Sequence, residues 1–404
     1  MERSSKTKSK KPMQNLFDQF SLNIKLAYRN IIGAGLRTWL NVGILSFAFV
    51  VILLLNGIMD GWQQQAVGEN IAWAFGHGQV VHPKYDPQDP FSLQQGHGAL
   101  TPNPNLTPIL LQQGNIYPKQ RMLPVVIKGI DVQQQTLSIP TEVLAKSDAN
   151  IPALIGRYMA NTNNLKVGDR MLMRWKDKNG AFDAQYITIA GIFDTDVPTV
   201  DIGQIWVPIR KLWTLTGLQN HATYQVANAQ YQPETDQKWH YKSQDDLLAD
   251  TYQMIEQEKS TSAFSYIILL AIALIAIFDA QVFSVFKRQK EIGTYIALGF
   301  TRKRVTALFT LEGIMYAVLA CIVGSLYSYP IFQYFAKEGI AFGKEEMTYE
   351  MGITMGEKVY PYVSASLILT TFLVVVGLAC IVSYLPVRKI ATMNPVDALK
   401  GKKS

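Results

Sequence analysis

The sequence predicts a membrane α-helical protein: four transmembrane helices, N and C termini cytoplasmic, and a large mixed α/β extracytoplasmic domain between helices 1 and 2. Three observations predict it. Only 17% of the 404 residues are charged and 48% are apolar, whereas soluble chains carry about 25% charged residues. The apolar residues gather in four charge-poor stretches, each long enough for the roughly 20 residues that cross a bilayer. The basic residues crowd into the short segments between them, which sets an orientation. The same composition excludes a disordered chain, a collagen and a disulfide-stapled scaffold.

The four stretches can be bounded by charge. Between Arg37 and Asp60 lie 22 uncharged residues, and between Lys259 and Lys287 lie 27 with one acid, Asp279. Between Glu312 and Lys337 lie 24 uncharged residues, and between Lys358 and Arg388 lie 29. The spans are placed at 38–60, 263–286, 311–336 and 364–385. Buried core helices are the plainer alternative, and four runs of this length argue against it. Residues 1–37 hold 8 Lys and Arg against Glu2 and Asp18, residues 287–304 hold 6 against Glu291, and the tail from Arg388 holds 5 against Asp397. Segment 61–262 holds 16 basic and 19 acidic residues, and 337–358 holds 3 and 5. Both termini and the middle loop are therefore expected inside. The net charge of +7 reads as topology, with no need for a nucleic-acid partner. No cleavable signal peptide is expected; the first span reads as an anchor.

Each segment has its own reason. Residues 1–12 are Lys/Ser-rich, and 16–37 repeat Leu16, Phe20, Ile24, Ala27 and Ile31 at helical spacing. That pattern predicts an amphipathic helix along the cytoplasmic interface, with a bend at Gly33 and Gly35; an extension of the first span is the alternative. Segment 61–262 is dense in turn signals (HPKYDPQDP, TPNPNLTP, KDKNG). Strands are expected at Gln79–His82, Val125–Gly129, Arg170–Trp175, Tyr186–Phe193 and Gln204–Pro208, with Asn179-Gly180 supplying positive φ in a hairpin turn. From Asp245 to Ile292 there is no proline or glycine, which predicts one helix roughly 70 Å long that extends the second span as a stalk. Residues 287–304 form a cytoplasmic loop, 337–363 an outer loop and 386–404 a cytoplasmic tail.

The catalytic inventory is thin. G-x-x-x-x-G-K-[ST], H-E-x-x-H and G-x-S-x-G are all missing from the sequence, so no phosphate-cradling loop, zinc helix or nucleophile elbow is encoded. Cys321 and Cys380 lie inside apolar runs. All five histidines (His77, His82, His97, His221, His240) fall in 61–262; His77 and His82 are close in sequence but lack metal-ligand spacing. A non-catalytic chain without a metal or cofactor of its own is expected. The informative segment is KRQKEIGTYIALGFTRKRVTALFTLEG (287–313). Basic residues flank a short amphipathic run, Gly299 breaks it, and Thr301 is placed to N-cap the next helix. It reads equally as a positive-inside loop or as a short helix pressing on a cytosolic partner.

Here the residues reach a resemblance. Arg288, Glu291, Ile292, Gly293, Ala297 and Gly299, followed by Glu312 and Gly313, resemble the signature of the FtsX/MacB/Lol superfamily of ABC-transporter permeases. The ending PVRKIATMNPVDALKG (Pro386, Arg388, Asn394, Pro395, Ala398, Leu399) and the start LAYRNIIGAGLRTWL are similar to the family's. Asn394-Pro395 also suits a helix N-cap and N1 pair. One span, a large outer domain and three further spans is the family layout. NGIMDGWQQQ, VVIKGIDVQQQ, IGRYMANTNNLKVGDRMLM and IAGIFDTDVPTVDIGQIWVP resemble the lipoprotein-releasing (Lol-type) permeases.

The resemblance implies a permease in the inner membrane, its large domain in the periplasm, paired with a second permease (the same or a paralogue). Two copies of a separate ATPase would bind ATP and Mg and do the hydrolysis. The complex would extract lipoproteins toward the outer membrane, with a lipoprotein cargo or periplasmic carrier as further partners. An FtsX-like mechanotransmitting permease and a MacB-like efflux permease are the alternatives. The ATPase-coupling set is expected to be Arg288, Glu291, Ile292, Leu298, Gly299 and Arg302. The cargo-contact set is Phe49, Leu53, Leu55, Ile58, Met59, Phe264, Ile268 and Ile272, for which lipid-facing packing is the plainer reading. There are departures. KDKNG (176–180) is too short for the hook insertion of the carrier-gripping Lol subunit. Ile296 stands where many members have Arg, and Asp279 where MacB-type members often have Asn. Asp279 is expected to pair locally with the Lys287 cluster; a cargo or proton role is the alternative.

Overall fold

A computed structural model describes residues 35–233, 238–342, 350 and 352–391. The chain divides into two compact units. One is helical and comprises Met1–Gly61, Glu258–Gly339 and Tyr360–Ser404; the other comprises Trp62–Gln257 and Ile340–Val359. The interfacial helix expected at 16–37 falls almost wholly outside the described residues, as do Asn394 and Pro395. Gly35 is described, and its φ of +56° makes a turn just before helix α1 (Leu36–Asn70).

The second unit is built on a mixed sheet. In chain order its elements are β1 (Gln79–Val81), β2 (Gly98–Ala99), β3 (Leu106–Tyr117), β4 (Leu123–Ile130), β5 (Pro152–Gly156), α2 (Arg157–Asn163), β6 (Arg170–Lys176) and β7 (Phe182–Phe193). They are followed by β8 (Gln204–Pro208), α3 (Ile209–Thr216), β9 (His221–Ala222), β10 (Tyr224–Ala227) and β11 (His240–Lys242). The main sheet runs β11-β1-β10-β3-β4-β8-β5-β7-β6, and β6 also pairs with β3. Six strands therefore close on themselves as a barrel, which removes edges that would otherwise recruit other chains. β4 lines one edge of β3 over residues 109–116. On the opposite edge β10 pairs with 106–109 and β6 with 114–117, so the two strands fork away from β3 at residues 110–113. Leu110, Ile127, Ile155, Met173, Ile189 and Ile205 fill one core. A second core gathers Ile109, Leu111, Ile130, Leu154 and Trp206. Each such side chain contributes about 1.5–3 kcal/mol by leaving water.

The hairpin expected around KDKNG is present, with Lys176 opposite Phe182. Only Gly180, at φ +80°, supplies positive φ there, and Asn179 does not. The Asp177 carboxylate holds the turn instead, accepting from the N–H groups of Asn179 (2.9 Å) and Ala181 (2.8 Å). Sequence reading placed TPNPNLTP among the turns, but its last three residues, Leu106–Pro108, open the twelve-residue strand β3. Pro108 is tolerated because it pairs with β10 (Gln225) and lies one residue outside the β3–β4 ladder, whose last pair is Ile109 with Ile130, an edge-like position where a missing N–H costs little.

The helices continue with α4 (Gln244–Lys287), α5 (Gln289–Ala297), α6 (Arg302–Glu338) and α7 (Ala365–Ala391). Among the described residues, three segments are long and apolar enough to cross a membrane: Trp39–Phe75, Arg302–Glu338 and Ala365–Arg388. The remaining apolar run of the sequence, 264–286, is unbroken helix within α4. The single helix expected over 245–292 breaks at Arg288 (φ −98°, ψ 16°), and the fourth helix runs through Pro386 instead of ending at 385. Val387, fully buried with Val305 and Phe309, holds that last turn in place, so packing offsets the lost backbone bond.

Val42, Leu45, Phe49 and Leu53 of α1 pack with Ala317, Ala320 and Cys321 of α6 and Val375 and Ala379 of α7. Lys259 Nζ bonds Asp60 Oδ1 at 2.9 Å, tying α4 to α1. Apolar side chains such as Phe264, Ile272, Leu326 and Leu373 are exposed on the helices, the pattern of a surface solvated by lipid.

Candidate coupling site

The turn between α5 and α6 is assembled from local chemistry. Phe300 N–H donates to the Tyr295 carbonyl (3.0 Å) and Gly299 N–H to that of Ile296 (3.0 Å). This is a Schellman ending, in which the residue after the helix must turn left-handed. Gly299 does so at φ +90°. Two residues on, Thr301 starts α6 as its N-cap, its hydroxyl accepting from Arg304 N–H at 3.4 Å. Tyr295 and Phe300 rings lie 5.5 Å apart, and Tyr295, Ile296 and Phe300 pack on Val305, Phe309 and Val387. The turn is thereby fixed to the roots of α6 and α7.

An ion-pair network fixes the other end of α5. Arg288 Nε bonds Glu291 Oε2 at 2.8 Å, and its Nη1 bonds Glu312 Oε2 at 2.9 Å. The guanidinium also lies 4.8 Å from the centre of the Phe309 ring. Glu312 is almost fully buried, and its other oxygen accepts from Tyr316 Oη at 3.4 Å. Burial opposes the charge on Arg288, and the carboxylates of Glu312 and Glu291 outweigh it, leaving the guanidinium held more firmly protonated than usual. Arg304 crosses the Phe300 ring at 4.6 Å.

The expected coupling residues separate into two kinds. Arg288, with a side chain only 18% exposed, faces the helices and bolts α5 to α6. Leu298 is 71% exposed, and Gly299 and Arg302 are also exposed, forming the outward surface of the turn; Glu291 is exposed too, but at the far end of α5 beside Arg288. Ile292 belongs to α5, and its side chain lies outside the described residues. Glu312 stands in the sequence motif but not among the expected coupling residues. The signal was available, since an acid bordering a long apolar run needs a partner.

The cargo-contact set does not form one surface. Phe49 and Leu53 are 0% and 2% exposed and are spent on the α1–α6–α7 core. Leu55, Ile58 and Met59 are half-buried, while Phe264, Ile268 and Ile272 are exposed. Asp279 is exposed on α4, and the expected pairing with Lys287 is not formed among the described residues. Lys287 instead lies over the Phe283 ring at 4.6 Å. Among the described residues no cluster of three His, Cys, Asp or Glu could hold a metal. His82 lies edge-on to Trp239, near His221 and His97.

Helices of membrane-spanning length, with a buried ion pair and an exposed turn among them, are the features of a membrane helical protein. Residues 263–395 match the family model described as FtsX-like permease C-terminal. The match covers α5 and the helices around it, and supports an ABC-transporter permease of the FtsX/MacB/Lol superfamily. Such permeases work with ABC ATPase partners and are not themselves the catalytic subunit. No curated protein matches the chain.

Proposed function

We propose that this chain is the permease of a lipoprotein-releasing ABC transporter, spanning the inner membrane four times with α4 as the second span. Its second unit stands in the periplasm, and the turn between α5 and α6 meets a separate ATPase. The observation that carries the coupling reading is Leu298, an exposed leucine on a turn that is otherwise anchored at both ends. An apolar knob held rigidly beside Gly299 and Arg302 suits a partner groove. Because the turn runs directly into α6, and Arg288 at the far end of α5 bonds Glu312 on α6, a push on the turn moves α5 and α6 together and, through α5, the end of α4. The 44 residues of α4 make a rod of about 66 Å, stiff enough to pass a displacement on.

The lipoprotein cargo rests on the likeness of the 61–262 segment to Lol-type permeases. The five-residue turn after Lys176 favours the subunit type without the hook. The lipid-facing residues Phe264, Ile268 and Ile272 on α4 are the better acyl-chain contacts of the expected set, since Phe49 and Leu53 are already packed inside. The experiment has two arms. Leu298→Ala combined with Arg302→Glu uncouples ATP hydrolysis from the permease while the complex still folds; unchanged coupling overturns the docking surface. Depleting the protein strands lipoproteins in the inner membrane; normal release overturns the cargo assignment and favours a mechanotransmitting role.

A further inference from the structure

The fork at which β10 and β6 part from β3 borders a cleft of about 840 Å³, within the size range of small-ligand sites. Its lining brings together Arg174, Lys176 and Lys178 from the β6–β7 hairpin, and Gln112, Gln113 and Asn115 from β3. None of the three cations pairs with an acid among the described residues. The acid of the cleft lining, Asp177, is turned to the hairpin loop: Oδ1 accepts from Asn179 and Ala181 N–H, and Oδ2 from Asn179 Nδ2 at 3.3 Å. Three cations against one carboxylate leave this lining with an excess of positive charge.

Two of the cations are also held in place. Arg174 lies 4.0 Å and Lys176 5.1 Å from the centre of the Phe182 ring, so less side-chain freedom is lost when an anion arrives. The amides across the cleft are oriented by the backbone. Gln112 Nε2 donates to the Lys176 carbonyl at 3.1 Å and Gln113 Nε2 to the Pro90 carbonyl at 2.9 Å. Each bond uses one of the two amide hydrogens and leaves the oxygen and the second N–H to meet hydroxyl groups. Amides on one side and cations on the other call for a ligand carrying both hydroxyls and a negative charge.

We infer that this cleft binds an acidic saccharide, a sugar segment bearing carboxylate or phosphate. The cations take the acid group, the glutamine oxygens accept from ring hydroxyls, and Phe182 offers an apolar surface to the sugar's C–H face. The inference does not depend on the transport reading, because it rests on this unit alone.

The test uses the full-length protein in nanodiscs and calorimetry with trigalacturonate. Neutral trigalactose and sodium sulfate are the controls, and vesicles bearing an acidic glycolipid are a separate arm. Trigalacturonate is expected to bind at least tenfold more tightly than either control, and Lys176→Gln with Lys178→Gln to weaken it at least tenfold. Both residues are exposed, so the variant keeps its fold; an unchanged melting curve verifies this. Binding of the free trisaccharide alone assigns a soluble ligand, and binding of the vesicles, equally sensitive to the variant, assigns a lipid headgroup. Equal binding of trigalactose, equal binding of sulfate, a variant that binds as well as the parent, or no binding of either acidic probe overturns the proposal.

Discussion

Removing the Arg288 side chain separates a structural bolt from a docking contact. The carboxylate of Glu312 is 4% exposed and that of Glu291 is 55% exposed, so the two pairs of Arg288 are unequal. Arg288→Met leaves Glu312 buried without its cation, which costs about 3–5 kcal/mol. Glu312→Gln keeps a neutral hydrogen-bonding partner and forfeits one charge-assisted bond, about 1.5–3 kcal/mol. Glu291→Gln removes only the solvent-screened pair, worth at most about 1 kcal/mol. Arg288→Met with Glu312→Leu removes both buried charges and returns stability to within about 1 kcal/mol of the parent. Denaturant or thermal unfolding in lipid bicelles reads these four variants and the Glu312→Leu single, and the double mutant is expected to cost at least about 2 kcal/mol less than Arg288→Met and Glu312→Leu together. Additive singles, or a Glu291→Gln loss as large as that of Glu312→Gln, refute the reasoning and return Arg288 to the exposed docking surface.

Other sites give sharper or milder outcomes. A Cβ at Gly156 would overlap the Asp201 carboxylate, which accepts from Tyr158 N–H (2.8 Å) and Met159 N–H (3.0 Å) at the start of α2. Gly156→Ala should therefore cost about 3 kcal/mol or more, seen as an early melting transition. Gly299→Ala meets nothing within 4 Å, so only the left-handed backbone penalty of about 1–2 kcal/mol applies; amide exchange at Phe300 should rise, and Gly299→Asn should rise less. The ring of His97 lies 2.9 Å (Nδ1 to Nδ1) from His221, beside the β2–β9 pairing. Burial, then His221 and His82 with its neighbour Lys84, keep the His97 and His82 rings more acidic than the ordinary 6.5. The unfolded chain then binds more protons, so this stabilisation is complete above about 6.5 and fades as the pH falls toward the lowered values. Exchange of Leu100 N–H, bonded to the Asn220 carbonyl, should accelerate from pH 7 to 5 after correction for intrinsic rate, and His97→Gln should flatten the profile.

The local features were legible in the sequence. Charge-free runs marked the apolar helices, since excluding charge over 20 residues is a condition that composition alone records. The alternation of Tyr186–Phe193 and the KDKNG turn marked a hairpin, and Thr301 marked a helix start, because caps and turns are settled within four or five residues. The partner of Arg288 was a different matter. Glu312 lies 24 positions away, and nothing local says which of the nearby acids the guanidinium will meet. That choice also broke the helix expected to continue to Ile292. β3 was hidden for a related reason: Pro108 reads as a turn until the β3–β4 ladder is known to stop at Ile109.

The acyl-lining set failed at the same level, since helical periodicity in an all-apolar span does not say which face meets another helix and which meets lipid. Likewise, β6 returning to β3 places Arg174 and Lys176 beside Gln112 and Asn115, a pairing between residues some 60 positions apart in the chain. Composition and short-range pattern determined which segments are helix, strand and turn. Tertiary closure alone decided which charges are buried together and which stay open to a ligand, because that depends on contacts whose loop-closure cost is met only when the whole unit forms.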